Sequence, residues 1–565
     1  MSSHQEQQRK IGEHFDLLII GGGITGAGAA RDASRRGLKV AVVEMDDLAS
    51  GTSSRSSKLV HGGLRYLEQG EFQLVFESVS ERRVLQDIAP HLVNPLGFLF
   101  PVFKSSRRGV FTINVGMWVY DGLALFRSPR RHRKLTKVQI KKEYPQLDDS
   151  QLKGALLYYD CATDDARLTL ETALDAEAQG AAILTHTRVI ALNRGADGRL
   201  IGARVKDVLT GDERDVRASA IINATGPWTD QTRAMRGASA PLLKPTKGVH
   251  LVVDAARLNV ATALVHFHHK DGRVLFVIPW GDRTYVGTTD TFYEGDPGEV
   301  CADKADVDYL LDVVNYYFPT VGLTYADVIS TWAGLRPLIA PPDAESASAV
   351  SREHEIRVDP DGLITIAGGK LTTYRRMAAS VVEEALGYLR VIGKAPKTLR
   401  AASTELEPLP GAVGWPANDD EEAVGKQILA AGQGRISAAT AAMFAPVYGM
   451  RGLDVAALAA ADQLLAQTLA PGRPEILAQV DYAVNKELAA TVSDVMIRRT
   501  QLYFRDVNQG LTATASVARR MATLLGWDEA RVSAEIAAYE AEVARSRRWR
   551  AQIGPEAEKG AEPQP

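Results

Sequence analysis

The chain has 565 residues, 45% of them hydrophobic and 24% charged, with a formal net charge of −3. That length exceeds one ordinary core and implies two or more domains of globular, not disordered, character. The charge argues against a general nucleic-acid binder. Two distant cysteines, Cys161 and Cys301, are too few for a disulfide framework or a Cys-rich metal site, as expected in a reducing compartment.

Residues 1–14 form a polar segment without the apolar core of a secretory signal. From Phe15 the chain reads FDLLIIGGGITGAGAARDASRRGLKVAVVE. Leu17 to Ile20 is short and continuously apolar, as a buried parallel strand must be. Gly21, Gly23 and Gly26 then supply GxGxxG at the start of an Ala-rich helix, which Gly37 ends. LKVAVVE is a second buried strand, closing on Glu44. In this setting the glycines let the backbone approach a pyrophosphate, the helix start offers free N–H groups, and Glu44 accepts hydrogen bonds from a ribose. The acid favours a free 2′-hydroxyl over NADP; FAD and NAD both remain open at this point.

A polar loop follows, with Thr52, Ser53, Ser56, Ser57 and Lys58 able to reach a pyrophosphate or a flavin ring. After it comes HGGLR (His61, Gly62, Gly63, Arg65). A plain turn needs the glycines but not the flanking imidazole and guanidinium, so this stretch predicts a ligand close to bared backbone. Residues 104–134 carry basic ends around an apolar middle with Trp118 and Tyr120, interrupted by Asn114 and Asp121. That pattern predicts a segment lying at a membrane interface, its cations on anionic headgroups. No run in the chain is long and uniformly apolar enough for a transmembrane helix.

INATGPW (Ile222 to Trp228) and GLITIAGGKLTTYRRMA (Gly362 to Ala378) each read as a strand turning into a helix. Residues 396–424 are Pro-rich and acidic, as in a linker. Beyond them, helical periodicity covers 424–446, 453–469, 474–506 and 512–546, a helical domain over 425–550 that packs on the first domain or supports a homodimer. Residues 551–565 read as a disordered tail.

TSSRSSKLVHGGLRYLE, NATGPW, KPTKGVHLVV, FVIPWGDRTYVGTTD, WAGLRPL and GGKLTTYR occur in this order. With them the chain resembles FAD-dependent glycerol-3-phosphate dehydrogenase, the respiratory, membrane-associated branch of the glycine oxidase/D-amino-acid oxidase superfamily. The resemblance runs from about residue 15 to 390, and more weakly to DVMIRRTQLYF. It implies an α/β fold: a two-dinucleotide-binding-type FAD domain with a mixed-sheet substrate domain, plus a mainly helical C-terminal domain. The first two share residues 15–395, with cap parts around 76–160 and 240–335.

The resemblance also implies non-covalent FAD, in place of NAD. Its contacts would be Gly21, Gly23, Gly26, Glu44, Thr52, Ser53, Ser57, Lys58, Gly62, Gly63, Val189, Thr225, Gly226, Gly368, Gly369, Lys370, Leu371 and Thr372. Arg65, Tyr66, Arg336 and Lys370 would hold the substrate, sn-glycerol 3-phosphate, whose C2 hydride passes to flavin N5 to give dihydroxyacetone phosphate. Arg336 and Lys370 add positive charge at the reacting end. His250 and His61 compete for the base; the alternating strand around His250 favours it, with His61 shaping the flavin environment. Membrane quinone is the expected acceptor, from a peripheral position on the cytoplasmic face of the inner membrane. An oxidase using O2 and a non-catalytic flavin-binding sensor are the alternatives.

Overall fold

The apolar run after Phe15 forms the strand His14–Ile20 at the centre of a sheet, in a computed structural model that describes residues 3–106, 108–125, 128–237, 240–339 and 353–553. Leu17, Leu18 and Ile19 are fully buried. The strand lies parallel to Val40–Val43 on one side and to Glu213–Asn223 on the other, with Leu17 opposite Val40 and Leu18 opposite Ile221. Ala182–Leu184 and Leu363–Gly368 extend the parallel core on either flank. Strands covered on both faces need continuous apolar runs, which is why these segments do not alternate. The helices Ile24–Arg35, Asp165–Ala178 and Tyr374–Val391 cover one face, packing Ala27, Ala30 and Val381 on Leu17, Ile19 and Ile222. A hairpin, Thr187–Arg194 with Leu200–Asp207, covers the other through Val189, Leu200 and Val205.

The second sheet is mixed. Val93–Phe103 runs antiparallel to Leu152–Thr163 but parallel to Ala263–Phe267. Val274–Trp280, Arg283–Gly287, Thr246–Asp254 and Ser330–Arg336 continue it in antiparallel pairs. The helix Lys304–Tyr317, begun by a reciprocal Asp303–Asp306 cap, packs on one face. The opposite face shares one apolar core with the C-terminal helices.

Those helices are Glu421–Ala431, Ala438–Tyr448, Gly452–Ala461, Ala478–Lys486, Thr514–Leu525 and Glu529–Ser546. All four periodic stretches break: 453–469 leaves the α-helix after Ala461, and 512–546 is divided at Gly526, in the left-handed region at φ 73°. The 424–446 run turns at Gly434, in the left-handed region at φ 77°, and restarts where Ser437 Oγ accepts the Thr440 N–H at 3.0 Å. The 474–506 run is interrupted by a π-helical turn, Asp494–Arg499.

The helical domain is tied to the first sheet by buried charge. Arg499 donates to both oxygens of Asp47 (2.6 and 2.9 Å) and Arg498 Nε to one of them (2.5 Å). His186 Nε2 lies 3.0 Å from Asp494; burial alone would lower its pKa, but Asp494 lifts it to about 9. The polar N-terminal segment is spent in the same seam. Ser3 Oγ donates to the Val484 carbonyl and accepts the Leu488 N–H, both at 3.0 Å. Residues after 396 also dock: Arg31 donates to the carbonyls of Thr404 (2.8 Å) and Glu407 (2.5 Å). The expected tail, 551–565, begins later than its composition suggests: Gln552 closes the 3₁₀ turn Arg548–Gln552 and accepts the Lys304 N–H at 2.9 Å, and from residue 554 the tail lies outside the described residues.

Candidate active site

A cavity of about 810 Å³ runs from the C-terminal ends of the first sheet's strands to the second sheet. At one end Gly21 and Gly23 line it, and Gly23 is the N-cap of the helix Ile24–Arg35. A Cβ at Gly26 would stand 1.9 Å from the Gly21 carbonyl oxygen, so the strand–helix turn admits no larger residue. Glu44 Oε2 accepts the Gly22 N–H at 2.6 Å and Oε1 accepts the Asp46 N–H at 3.0 Å. Burial pushes Glu44 up to about 7, against the pull of those two bonds. Val189, Thr225 and Gly226 line the same cavity. Close-approach backbone, a helix start and a cavity-lining carboxylate fit the pyrophosphate and ribose of an adenine dinucleotide.

Midway, Thr52, Ser53, Ser56, Ser57, His61 and Gly63 line one side, and Gly368, Gly369, Lys370, Leu371 and Thr372 also line the wall. The two stretches are pinned to each other: the His61 N–H donates to Thr372 Oγ1 (3.1 Å), which in turn donates to the His61 carbonyl (3.2 Å). Gly62 explains the glycine pair. Its N–H points to the Tyr120 hydroxyl (3.0 Å) and Asp160 Oδ1 (3.3 Å), and a Cβ there would lie 2.3 Å from the same hydroxyl oxygen. Asp160 is in turn paired with the buried Arg82. Lys370 Nζ sits 3.7 Å from the centroid of the Tyr66 ring, a cation–π contact. Thr52 Oγ1 donates to the Leu335 carbonyl at 2.6 Å, joining this loop to the second sheet.

Arg336, at the end of its strand, also lines the cavity. It bonds Asp290 Oδ1 and Thr288 Oγ1, each at 3.1 Å. His250 does not line it. Its Nε2 is 2.8 Å from Ser57 Oγ, its ring stacks on Trp332 at 4.7 Å, and Ser57 is the one of the two that faces the cavity. Burial first, then Arg336 and Lys58, hold His250 well below its ordinary pKa. Lys58 is also turned away from the cavity, its ammonium 2.6 Å from Asp165 and 5.4 Å from the centre of the Trp332 ring. Gly26 and Gly62 shape backbone behind the lining. Arg65 is in the short 3₁₀ turn Leu64–Gln69, and its side chain lies outside the described residues.

Sequence reasoning missed Arg273 and Asp290, both in the lining, and the part played by Arg108, Thr112, Ile113 and Gly116. The available signal was an arginine directly before the half-buried strand VLFVIPW, and an aspartate closing GTTD.

A glycine-turn dinucleotide cradle opening into a cavity under a second, mixed sheet defines the class as a flavin-dependent oxidoreductase. Residues 16–376 match the family model described as FAD dependent oxidoreductase, and residues 402–532 that of the C-terminal domain of alpha-glycerophosphate oxidase. The aerobic glycerol-3-phosphate dehydrogenase of Staphylococcus haemolyticus is 39% identical over 92% of this chain and 92% of its own length. Glycerol-3-phosphate dehydrogenase 2 of Mycobacterium bovis is 40% identical over 94% of this chain and 88% of its own. The solved glycerol-3-phosphate dehydrogenase of Bacillus halodurans, complexed with FAD, superimposes with a TM-score of 0.79 at 33% identity, covering 96% of this chain and 98% of that one. The chain belongs to the FAD-dependent oxidoreductase family and, within it, to the glycerol-3-phosphate dehydrogenases.

Proposed function

We propose that the chain oxidises sn-glycerol 3-phosphate to dihydroxyacetone phosphate and passes the electrons to a quinone, from a peripheral position on the cytoplasmic face of a membrane. The observation that carries the reaction is one cavity lined at once by a dinucleotide cradle, an imidazole and the cations of Arg336 and Lys370. A phosphate dianion needs fixed cations, and the guanidinium fork matches it best. FAD, when bound, supplies the acceptor for the C2 hydride. His61 takes the hydroxyl proton, because it is the histidine in the lining. His250 acts through Ser57, fixing that hydroxyl from behind.

The acceptor reading rests on the helix Val110–Leu123. Thr112, Ile113 and Gly116 face the cavity, while Phe111 (81% exposed), Val115, Trp118 (51%) and Val119 face out. Phe72 and Phe76 of the neighbouring helix Phe72–Ile88 are also exposed, as are Lys104, Arg130, Arg131, Arg133 and Lys134, which flank the helix Val110–Leu123 in sequence. An apolar plateau among cations suits anionic lipid, and one helix touching both lipid and cavity favours a lipid-borne acceptor over O2. Among the described residues no helix is long and apolar enough to cross a membrane. With anionic vesicles that contain quinone, glycerol 3-phosphate is expected to reduce the quinone and glycerol is not. Equal turnover with air and no vesicles would favour the oxidase.

A further inference from the structure

Arg273 stands immediately before the strand Val274–Trp280 and Arg336 ends the strand Ser330–Arg336. They reach the cavity from different strands and meet at one nearly buried carboxylate, Asp290. Arg336 is held at two corners of its fork, Nη1 by Asp290 Oδ1 (3.1 Å) and Nη2 by Thr288 Oγ1 (3.1 Å) and the Thr289 carbonyl (3.3 Å). Arg273 is hydrogen-bonded at one corner, with Asp271 Oδ2 a looser 4.0 Å from its Nε. Its Nη1 donates to the Asp290 carbonyl (2.5 Å) and lies 3.8 Å from Asp290 Oδ2. Among the described residues Nη2 of Arg273 makes no hydrogen bond, and the side chain, 28% exposed, lines the cavity.

A carboxylate shared by two guanidiniums offsets their mutual repulsion and sets their spacing. A phosphate monoester carries about −1.5 to −2 charges near neutral pH. Arg336 already has much of its fork spent on the protein, whereas Arg273 keeps donors in hand. Such a half-anchored fork can close on a dianion without first breaking a bond within the protein.

We propose that Arg273 is a substrate-binding residue that grips the phosphate, and that Asp290 is the positioning residue that keeps Arg273 and Arg336 as a pair. This rests on the glycerol 3-phosphate reading, and it adds to it the group that makes the site select phosphorylated over plain polyols.

The test uses full-length, FAD-loaded protein and the variants Arg273→Leu, Arg273→Lys and Asp290→Asn. Sulfate serves as a dianion probe, titrated against the flavin absorbance, alongside kcat and KM. Arg273→Leu is expected to weaken sulfate and raise KM about tenfold to a hundredfold, the range for losing hydrogen bonds to a charged group, with kcat much less affected and the FAD content of wild type. Guanidinium ion in the buffer is expected to restore part of the loss, which a merely structural role would not allow. Arg273→Lys, which keeps the stem and charge, is expected to fall between wild type and Arg273→Leu. Asp290→Asn is expected to raise KM without loss of FAD. Sulfate affinity and KM within twofold of wild type in Arg273→Leu would overturn the proposal. If the wild-type flavin were not reduced by glycerol 3-phosphate, the proposed reaction would fall, and the sulfate comparison would still decide the clamp.

Discussion

Replacing Tyr120 with phenylalanine removes one oxygen from beneath the HGG turn and changes little else. That hydroxyl, on a residue 1% exposed, donates to the Asp160 carboxylate (2.8 and 2.9 Å to its two oxygens) and accepts the Gly62 N–H at 3.0 Å. A hydrogen bond to a charged partner contributes about 1.5–3 kcal/mol. Asp160 keeps Arg82, and Gly62 keeps a longer contact to Asp160 at 3.3 Å, so the lower half of that range applies, about 1.5–2 kcal/mol. The ring is retained, so no cavity term adds to it. Asp160→Asn is the harsher contrast: it strands a buried guanidinium, at about 3–5 kcal/mol. Because His61 adjoins Gly62, the same change loosens the imidazole, and a displacement of about 1 Å at a catalytic group can cost up to a hundredfold in rate. Tyr120→Phe is therefore expected to lower kcat several-fold and the urea midpoint for FAD release modestly, with Asp160→Asn well below it. Stopped-flow reduction and fluorescence of released FAD measure the two effects. If both variants matched wild type in rate and midpoint, the idea that this network holds the turn would be refuted.

His61→Asn is expected to cut kcat by about 10² to 10⁴ while FAD stays bound, and His250→Asn by much less; the reverse order in rapid-mixing experiments would move the base to His250. Glu44, raised from 4.5 to about 7 by burial, is neutral below that pH when the cradle is empty, and a neutral carboxyl is a poorer acceptor for a ribose hydroxyl. FAD affinity is accordingly expected to fall on going from pH 8 to pH 6, by up to about tenfold per pH unit, and Glu44→Gln to flatten the profile in a fluorescence titration. Phe111→Glu with Trp118→Glu is expected to abolish flotation with anionic vesicles while turnover with a soluble dye stays unchanged; unchanged flotation would remove the membrane role from this helix.

The nucleotide cradle was legible because its parts are contiguous: strand, glycine turn, helix, strand and acid follow each other within Phe15 to Glu44, so local spacing sets the geometry. The cavity's other wall was legible only through the resemblance, since Arg336, Lys370 and His61 come from elements that meet by tertiary packing. Side-chain direction was the least readable feature. Lys58 sits in the right loop, but Asp165 and the aromatic rings draw its ammonium away from the cavity. Alternation along Thr246–Asp254 pointed His250 into a substrate pocket, but nearly the whole strand is buried and His250 meets Ser57, which lines the cavity in its place. Arg273 and Asp290 were invisible for a like reason: nothing in either stretch alone shows that a third strand's arginine completes the pair. Helical periodicity located the C-terminal domain but ran through its breaks, because a Gly turn and a Ser cap outweigh an apolar stripe locally.

The most direct measurement is anaerobic mixing of the FAD-loaded protein with sn-glycerol 3-phosphate, followed at the flavin's visible absorption band. Rapid bleaching is expected with glycerol 3-phosphate, none with glycerol at the same concentration, and recovery of the band on adding a quinone much faster than on admitting air. A flavin that stays oxidised in the presence of glycerol 3-phosphate would contradict the proposed reaction.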